Sequence, residues 1–243
     1  MPNDYFRFKQ FEVRQDKCAM KVSTDACIQG AVAANFLLQG RHIPNKVMDI
    51  GTGTGLLGLM LAQAAPSANI IAIETDLLAA QQAHENFCQS PWKTQITLVN
   101  DNIQNFDTAE DANFDFIVCN PPFFKNHLPS TDSARKIARH DENLPKSDLA
   151  QSIHRLLKPD GTACVMYPAT EWAEWLETAA SHQLFLAKEI AVKPREDKAA
   201  NRVIGFFGKT KSNAQQRMLT IYDTGNSYTP SLKDLLKAYY LAL

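Results

Sequence analysis

Short apolar runs alternate with longer amphipathic segments along most of the chain. The runs predict buried strands, because a parallel strand covered on both faces is a continuous apolar stretch. They lie at residues 47–50, 69–74, 95–100, 114–119 and 162–167. Helices are predicted in the intervals, at residues 56–65, 76–89 and 147–157. Alternating strands and helices indicate an α/β fold with a mostly parallel sheet and helices on both faces.

The N-terminal region departs from this alternation. Residues 1–22 predict a short β unit around a polar turn at Gln15 to Lys17. A helix at residues 25–38 follows, and Ser23 or Thr24 is placed to cap it.

The C-terminal region predicts the end of the sheet. After a helix at 171–182, two consecutive strands at 185–192 and 202–208 indicate an antiparallel hairpin at one edge. The predicted sheet then has seven strands, and residues 218–222 are a candidate further edge strand. A last helix at 231–241 is expected to be capped by Ser231.

Composition limits the classes of protein that need to be considered. The 243 residues suit one domain, with residues 1–45 as an extension and residues 46–243 as the core. A net charge of −1 gives no overall basic field, although local basic patches remain open. The five cysteines form no CxxC pair, which disfavours zinc and disulfides and fits a reducing cytoplasm. Neither a signal peptide nor an apolar run of about 18 residues is present, so we expect no membrane segment.

A glycine-rich turn follows the first strand of the predicted sheet. Gly51, Gly53 and Gly55 separate that strand from a helix, and this context gives a glycine pattern its meaning. Glycines let a ligand approach the backbone, and the helix start offers free N–H groups. Gly53, Gly55 and Gly58 also fit the dinucleotide pattern G-x-G-x-x-G, so the spacing leaves a nicotinamide dehydrogenase open.

Acidic residues near three successive strand ends favour a different cofactor. Asp49 precedes the glycine turn, and a carboxylate there would repel a pyrophosphate but attract an ammonium group. Glu74 lies where an acid can accept hydrogen bonds from ribose hydroxyls. Asp101, with Asn102 beside it, follows the third strand and faces the expected adenine position. S-adenosylmethionine carries an ammonium group, a ribose and an adenine, and it has no phosphate. The alternative interpretation is that these acids are solvated loop residues.

A rigid turn, Asn120-Pro121-Pro122-Phe123, ends the strand at 114–119. Two prolines fix φ and cannot continue the hydrogen-bond ladder. The Asn120 side chain and the Pro121 carbonyl are neutral acceptors that can grip both hydrogens of one NH2 group, and Phe123 can stack on a planar base. We therefore expect Asn120 to lie between cofactor and amine. The alternative is a strand-ending turn that Asn120 merely caps.

The segments DIGTGTG and NPPF, together with Glu74 and Asp101, resemble class I S-adenosylmethionine-dependent methyltransferases that modify planar amino groups. That resemblance implies a Rossmann-like fold over residues 47–167. The N-terminal segments FRFKQF and MKVSTDA are similar to the bacterial tRNA(Val) adenine-N6 methyltransferase family, whose target is adenine 37 beside the anticodon. In that family the stretch that matches Lys21, Thr24 and Asp25 lies over the cofactor.

Two basic clusters are candidates for RNA binding, because phosphate contacts position a nucleic acid. Arg135, Lys136 and Arg139 lie in a long polar segment, residues 125–146, that we expect to form a lid after the rigid turn. The second cluster lies at and beside the loop of the predicted hairpin and consists of Lys193, Arg195, Lys198 and Arg202.

We expect a monomeric tRNA-binding enzyme without metal. Ribosomal-RNA guanine-N2 and release-factor glutamine methyltransferases remain open as relatives with a similar turn. A catalytically silent RNA-binding module of the same fold is disfavoured, because Asn120 and the glycines are intact.

Overall fold

A computed structural model of the chain describes residues 4–18, 20–39, 44–106, 113–121 and 144–243. Within these residues the strands, numbered in chain order, are β1 (Tyr5–Arg7), β2 (Glu12–Arg14), β3 (Lys46–Ile50), β4 (Asn69–Glu74), β5 (Ile96–Asn100), β6 (Phe114–Cys119), β7 (Leu157–Pro168), β8 (Phe185–Arg195), β9 (Arg202–Gly208) and β10 (Gln215–Tyr222). The helices are α1 (Thr24–Gln39), α2 (Leu56–Ala64), α3 (Leu77–Gln89), α4 (Lys146–Leu156), α5 (Trp172–Ser181) and α6 (Pro230–Leu236).

The predicted α/β architecture is confirmed. The main sheet has the order β10-β8-β9-β7-β6-β3-β4-β5. β3 lies inside the sheet and pairs in parallel with both β4 and β6. β9 is antiparallel to β7 and β8, so the predicted hairpin is present as well.

The strand count was wrong by one, since the described part of the main sheet has eight strands rather than seven. The additional strand, β10, pairs in parallel with β8 and forms the outer edge in place of the hairpin. Its first four residues are exposed, and in its second half only Leu219 and Ile221 are buried. A half-exposed edge strand lacks the continuous apolar run by which the central strands are recognised.

The N-terminal turn and the last helix also differ from the sequence prediction. The N-terminal hairpin turns between β1 and β2, where the Phe8 N–H donates to the Phe11 carbonyl at 2.8 Å, and not at Gln15 to Lys17. The rings of Phe8 and Phe11 stack at 4.5 Å in the core, which holds the turn there. The last helix begins at Pro230 and ends at Leu236, and its cap is Thr229 rather than Ser231.

Two apolar layers cover the main sheet. One contains α1, α2, α3 and α6, and the other contains α4 and α5. Phe36 of α1 stacks on Phe206 of β9 at 4.5 Å, which fixes the N-terminal helix to the sheet. No helix in the described ranges is long and apolar enough to cross a bilayer.

The carboxyl ends of the parallel strands meet at one edge of the sheet. Because β7 runs parallel to β6 and pairs Pro168 with Arg202, the start of β9 lies at that same edge. The loop that joins β8 to β9 therefore projects from the same edge as the ends of β3, β4 and β6, with β7 between it and β6. In open α/β sheets, ligands bind outside this edge.

Candidate functional site

Asp49 is a fully buried carboxylate in β3, directly before the glycine turn. Its Oδ2 accepts hydrogen bonds from the Thr52 hydroxyl at 2.5 Å and the Gly58 N–H at 2.9 Å. Its Oδ1 is also buried and has no hydrogen-bond partner among the described residues. Burial raises the pKa of Asp49 to about 6, although the bonds from Thr52 and Gly58 act in the opposite direction. A cationic donor at Oδ1 would satisfy this carboxylate.

The three glycines of the turn have left-handed backbones but different surroundings. Their φ angles are 67° at Gly51, 55° at Gly53 and 84° at Gly55. A Cβ on Gly51 or Gly53 would meet nothing within 4 Å, whereas a Cβ on Gly55 would lie 2.5 Å from Cε1 of Phe87. Gly51 and Gly53 thus border open space that a ligand can enter. Gly55 permits close packing of α3, and its contact with a cofactor stays a prediction.

Glu74 ends β4 and is half-buried. Its Oε2 accepts from the Gly53 N–H at 2.9 Å, and its Oε1 accepts from the Asp76 N–H at 3.0 Å. Oε1 also lies 3.5 Å from the Thr75 hydroxyl, whereas Oε2 has a second lone pair that can accept a hydrogen bond from a ribose hydroxyl. The carboxylate therefore has a structural role that its position in the sequence did not indicate.

Asp101 and Asn102 follow β5 at the same edge. Asp101 Oδ1 accepts from the Asn102 N–H at 2.6 Å, and Asn102 Oδ1 accepts from the Gln104 N–H at 3.1 Å. Sequence reasoning missed Asn100, whose Nδ2 donates to the carbonyls of Glu74 at 2.8 Å and Thr75 at 3.1 Å. This amide ties the ends of β4 and β5 together. An asparagine at a strand end, where strands seldom place one, was the available signal.

A pair of exposed leucines was also missed. Leu77 and Leu78 open α3 next to Glu74, and 58% and 55% of their respective surfaces are exposed. Apolar side chains at a ligand-binding edge can cover the face of a planar ring. The signal in the sequence was the placement of two adjacent leucines at the polar start of a helix.

The rigid turn begins where β6 ends. Ile50 of β3 lies beside Cys119 of β6 in the sheet, so Asn120 follows next to the glycine turn. Asn120 Oδ1 is buried and has no partner within the described chain. The end of the strand thus carries an unsatisfied neutral acceptor, and Pro121 beside it is buried. Pro122 and Phe123 lie outside the described residues.

The N-terminal extension meets this edge through the start of α1. The Ser23 hydroxyl caps the helix by accepting from the Ala26 N–H at 3.2 Å, which confirms one of the two expected caps. Asp25 forms an ion pair with Arg202 at 2.9 Å, with about a quarter of each side chain exposed. Lys21 is exposed and Thr24 is partly buried. Their contact with a cofactor stays a prediction.

β8 runs to Arg195, three residues further than predicted, so Lys193 and Arg195 lie at the end of the strand and Lys198 lies in the loop to β9. These cations bind acceptors of the protein itself. Lys193 Nζ donates to the Glu196 carbonyl, and Arg195 donates to the Thr224 carbonyl at 3.4 Å. Lys198 lies 3.5 Å from the Asp197 carboxylate, and both side chains are mostly exposed. Such exposed contacts are weak enough for a phosphate to replace.

The structure leaves three sequence predictions untested or limited in scope: the role of Arg202, the lid cations and the absence of a metal. Arg202 is engaged by Asp25, so its role in RNA binding stays a prediction. The lid cations Arg135, Lys136 and Arg139 lie outside the described residues. Among the residues that are described, no group of three or more His, Cys, Asp or Glu side chains is placed to hold a metal ion.

Known proteins are similar to this chain in family, fold and sequence. The methyltransferase small domain family matches residues 31–148. The fold is similar to that of a predicted O-methyltransferase from Agrobacterium tumefaciens, with a TM-score of 0.67, 16% identity, and coverage of 90% of this chain and 98% of the other. Two curated relatives, each called tRNA1(Val) (adenine(37)-N6)-methyltransferase, align along nearly the whole chain. The protein from Dyadobacter fermentans is 40% identical over 98% of both chains, and that from Bacteroides thetaiotaomicron is 39% identical over 100% of both. The chain therefore belongs to the family of tRNA1(Val) (adenine(37)-N6)-methyltransferases.

Proposed function

We propose that this protein transfers a methyl group from S-adenosylmethionine to the N6 amine of adenine 37 in a valine tRNA. The observation that carries the proposal is the unsatisfied Asn120 Oδ1 at the end of β6, beside the glycine turn. A buried neutral acceptor without a partner is costly, and an N–H of the target amine would satisfy it. The relatives' names supply the identity of the nucleotide.

The residues of the edge fit the proposed cofactor. Asp49 Oδ1 suits its ammonium group, because a buried carboxylate oxygen without a partner favours a cation. Gly51 and Gly53 leave the space that its methionine part needs. Glu74 Oε2 has a lone pair that can accept from a ribose hydroxyl. Asp101 follows the neighbouring strand β5, where it can contact the adenine.

Other parts of the proposed cofactor site rest on the family resemblance. We assign Lys21, Thr24 and Asn102 to its rim, and Gly55 to the turn that supports it. The bound cofactor supplies an electrophilic methyl group on a sulfonium. The proposal requires no metal.

The role of the turn follows from the chemistry of an aromatic amine. Its nitrogen lone pair is delocalised into the ring, so the amine is a poor nucleophile. If Asn120 Oδ1 and the Pro121 carbonyl accept its two N–H groups, the pyramidal nitrogen with a free lone pair is favoured. Phe123 would stack on the base. As the C–N bond forms and the C–S bond breaks, the nitrogen becomes cationic, and its extra proton then leaves to water.

The RNA must bind to a surface of the protein outside the cofactor site. A base must leave its stack to reach a buried turn, and bases of anticodon loops are unpaired and easily extruded. The hairpin loop projects from the edge that carries Asn120, so Lys193, Arg195 and Lys198 can meet phosphates beside the extruded base. The lid cations complete the proposed surface. A tRNA substrate supports the proposal that the enzyme is cytoplasmic.

We further propose that one chain, folded as a single domain, is sufficient for activity. Supporting this, each group assigned to the cofactor and to the amine lies on the same chain, and the relatives match it from end to end. Sedimentation at working concentration measures the oligomeric state.

The test is methyl transfer to unmodified tRNA, followed by nucleoside mass spectrometry. We expect N6-methyladenosine in valine tRNA, and no product when adenine 37 is replaced by guanosine. Transfer to a guanine of ribosomal RNA or to a protein glutamine, with tRNA left unmodified, would overturn the proposal.

A further inference from the structure

Gln29 is a buried amide that contacts the strand end where the proposed chemistry takes place. It lies in the second turn of α1, and its surface is 0% exposed. Its Nε2 donates a hydrogen bond to the carbonyl of Cys119 at 2.8 Å. Cys119 is the last residue of β6 and directly precedes Asn120. A residue of the N-terminal extension therefore holds the backbone that carries the proposed catalytic amide.

The contact acts directly on Asn120 because of peptide geometry. The carbonyl of Cys119 and the N and Cα atoms of Asn120 belong to one planar peptide unit. A hydrogen bond to that carbonyl opposes rotation of the whole plane. The direction in which the Asn120 side chain leaves the backbone is thereby set from outside the sheet. Prolines at the next two positions carry no N–H with which the backbone could form a ladder of its own.

Half of the Gln29 amide remains unsatisfied. Its Oε1 is buried and has no partner in the described part of the chain. Gln63 of α2 likewise leaves its Oε1 without a partner while its Nε2 donates to a backbone carbonyl, so what distinguishes Gln29 is the carbonyl that its donor reaches. The side-chain amide donates to the Cys119 carbonyl at the strand end and also interacts with the Cys164 thiol of β7.

The helix that carries Gln29 is held along its length. Ser23 caps its start, and Asp25 pairs with Arg202 at 2.9 Å. Near its other end, Phe36 stacks on Phe206 at 4.5 Å. A donor on such a helix has a defined position relative to the sheet.

We infer that Gln29 is a positioning residue for methyl transfer, which orients Asn120 by holding the Cys119 carbonyl. The inference rests on the proposed function, because it requires Asn120 to grip the amine. It assigns to α1 a role in the chemical step in addition to its packing role. Small misplacements of a reacting group are known to slow enzymes by up to about a hundredfold.

The experiment compares Gln29→Met with the parent enzyme. Methionine has a similar length and no donor, so it removes the bond and retains most of the volume. We expect the single-turnover rate at saturating cofactor and tRNA to fall by about tenfold or more. Affinity for S-adenosylhomocysteine, measured by calorimetry, should stay within about twofold, because Asp49 and Glu74 are untouched. The calorimetric stoichiometry counts folded sites, so the rate is expressed per folded site.

Gln63→Met is the matched control. Gln63 of α2 donates the same kind of bond, from Nε2 to the Ala238 carbonyl at 2.9 Å, away from the rigid turn. This control should keep the parent rate per folded site. Equal slowing in both variants, or a loss of cofactor affinity as large as the loss of rate in Gln29→Met, would overturn the inference.

Gln29→Glu keeps the shape of the side chain and makes its donor depend on pH. The neutral carboxyl donates to the Cys119 carbonyl and the ionised form cannot. The ratio of variant rate to parent rate should therefore rise as the pH is lowered, and a constant ratio would contradict the inference. If Gln29→Met matches an active parent, only this inference is wrong. A parent that does not methylate tRNA removes the proposed function and the inference together.

Discussion

Glu74 accepts a hydrogen bond from the N–H of Gly53 at 2.9 Å. The bond joins the end of β4 to the turn that follows β3. The acid expected to hold a ribose therefore also shapes the turn expected to hold the rest of the cofactor. Loss of this carboxylate would remove the proposed contact with the ribose and the observed bond to the turn together.

Glu74→Ala should weaken cofactor binding by about 1.5–3 kcal/mol, the range for a hydrogen bond to a charged group. Calorimetry with S-adenosylhomocysteine measures this loss. Glu85→Ala is the control, because Glu85 is an exposed acid of α3 that pairs with Lys17 at 2.6 Å. It should leave the affinity unchanged. Unchanged binding in Glu74→Ala would exclude the assigned role.

Cofactor affinity should depend on pH through Asp49. Burial raises the pKa of Asp49 to about 6 in the free protein. Binding of an ammonium group favours the ionised carboxylate, so affinity should rise as the pH increases through about 6 and then level off. Below that pH it should fall by at most about tenfold per unit, since one proton is released on binding. Titration calorimetry between pH 5 and pH 8 in buffers of different ionisation enthalpy measures the affinity and the proton release.

Asp49→Asn tests the assignment of that pH dependence. The amide can still accept from Gly58, but it presents no charge to the ammonium group. We expect weak binding that does not change across the same pH range. If the variant keeps the pH dependence of the parent, another group is responsible.

The order of the central elements could be predicted because each inner strand is buried on both faces. Ile117 and Val118 of β6 are both 0% exposed, and such neighbours leave a continuous apolar run in the sequence. Glycines and prolines marked where these strands end. β10 was harder to predict because its exposed Met218 breaks the pattern that Leu219 and Ile221 begin.

The residues of the candidate site could be predicted, but their partners could not. The spacing of Asp49 and Glu74 relative to the glycines indicated a cofactor. Nothing in that spacing showed that Asp49 would bind the Gly58 N–H. Gln29 was missed altogether, because one polar residue in an apolar helix is only informative once the carbonyl it meets, 90 positions later, is known. Contacts between distant segments depend on packing, which local patterns do not encode.

Two glycine variants should separate ligand space from packing. Gly51→Ala and Gly55→Ala each place a Cβ on a left-handed backbone, at a cost of roughly 1–2 kcal/mol. Gly55→Ala should lose about 1–3 kcal/mol more, because its Cβ would lie 2.5 Å from the Phe87 ring. Gly51→Ala should instead reduce cofactor affinity more strongly than stability. Thermal unfolding and calorimetry on both proteins check the contrast, and Phe87→Leu should partly restore Gly55→Ala.

Asn120→Ala should separate binding from chemistry. The interaction with the amine strengthens as the nitrogen becomes pyramidal, so it belongs to the transition state. We expect kcat to fall by on the order of a hundredfold, the scale for removing one preorganised hydrogen-bonding group. Cofactor affinity should change little. A variant that loses cofactor binding but retains kcat would contradict the assignment.

Replacing Lys193, Arg195 and Lys198 together by glutamine should weaken tRNA binding. Each lost phosphate contact should reduce the slope of log affinity against log salt by about 0.7–0.9, because fewer counterions are released. Cofactor affinity should not change. Within the described ranges the three cations contact exposed acceptors, so their removal should have little effect on stability. Binding measured at several salt concentrations gives the slope.

The control for this variant removes three positive charges that lie away from the carboxyl ends of the parallel strands. Lys209 and Lys211 follow the end of β9, at the far end of the strands from Asn120, and Arg217 of β10 lies beside Ile190, in the middle of β8. Their replacement by glutamine changes the net charge equally but leaves the edge that carries Asn120 intact. If charge alone attracts the RNA, both triple variants should lose affinity equally, and the hairpin loop is not the binding surface. If position decides, only the variant at Lys193, Arg195 and Lys198 should show the smaller slope, because of the two sets of cations this is the one that can lie against phosphates beside the extruded base.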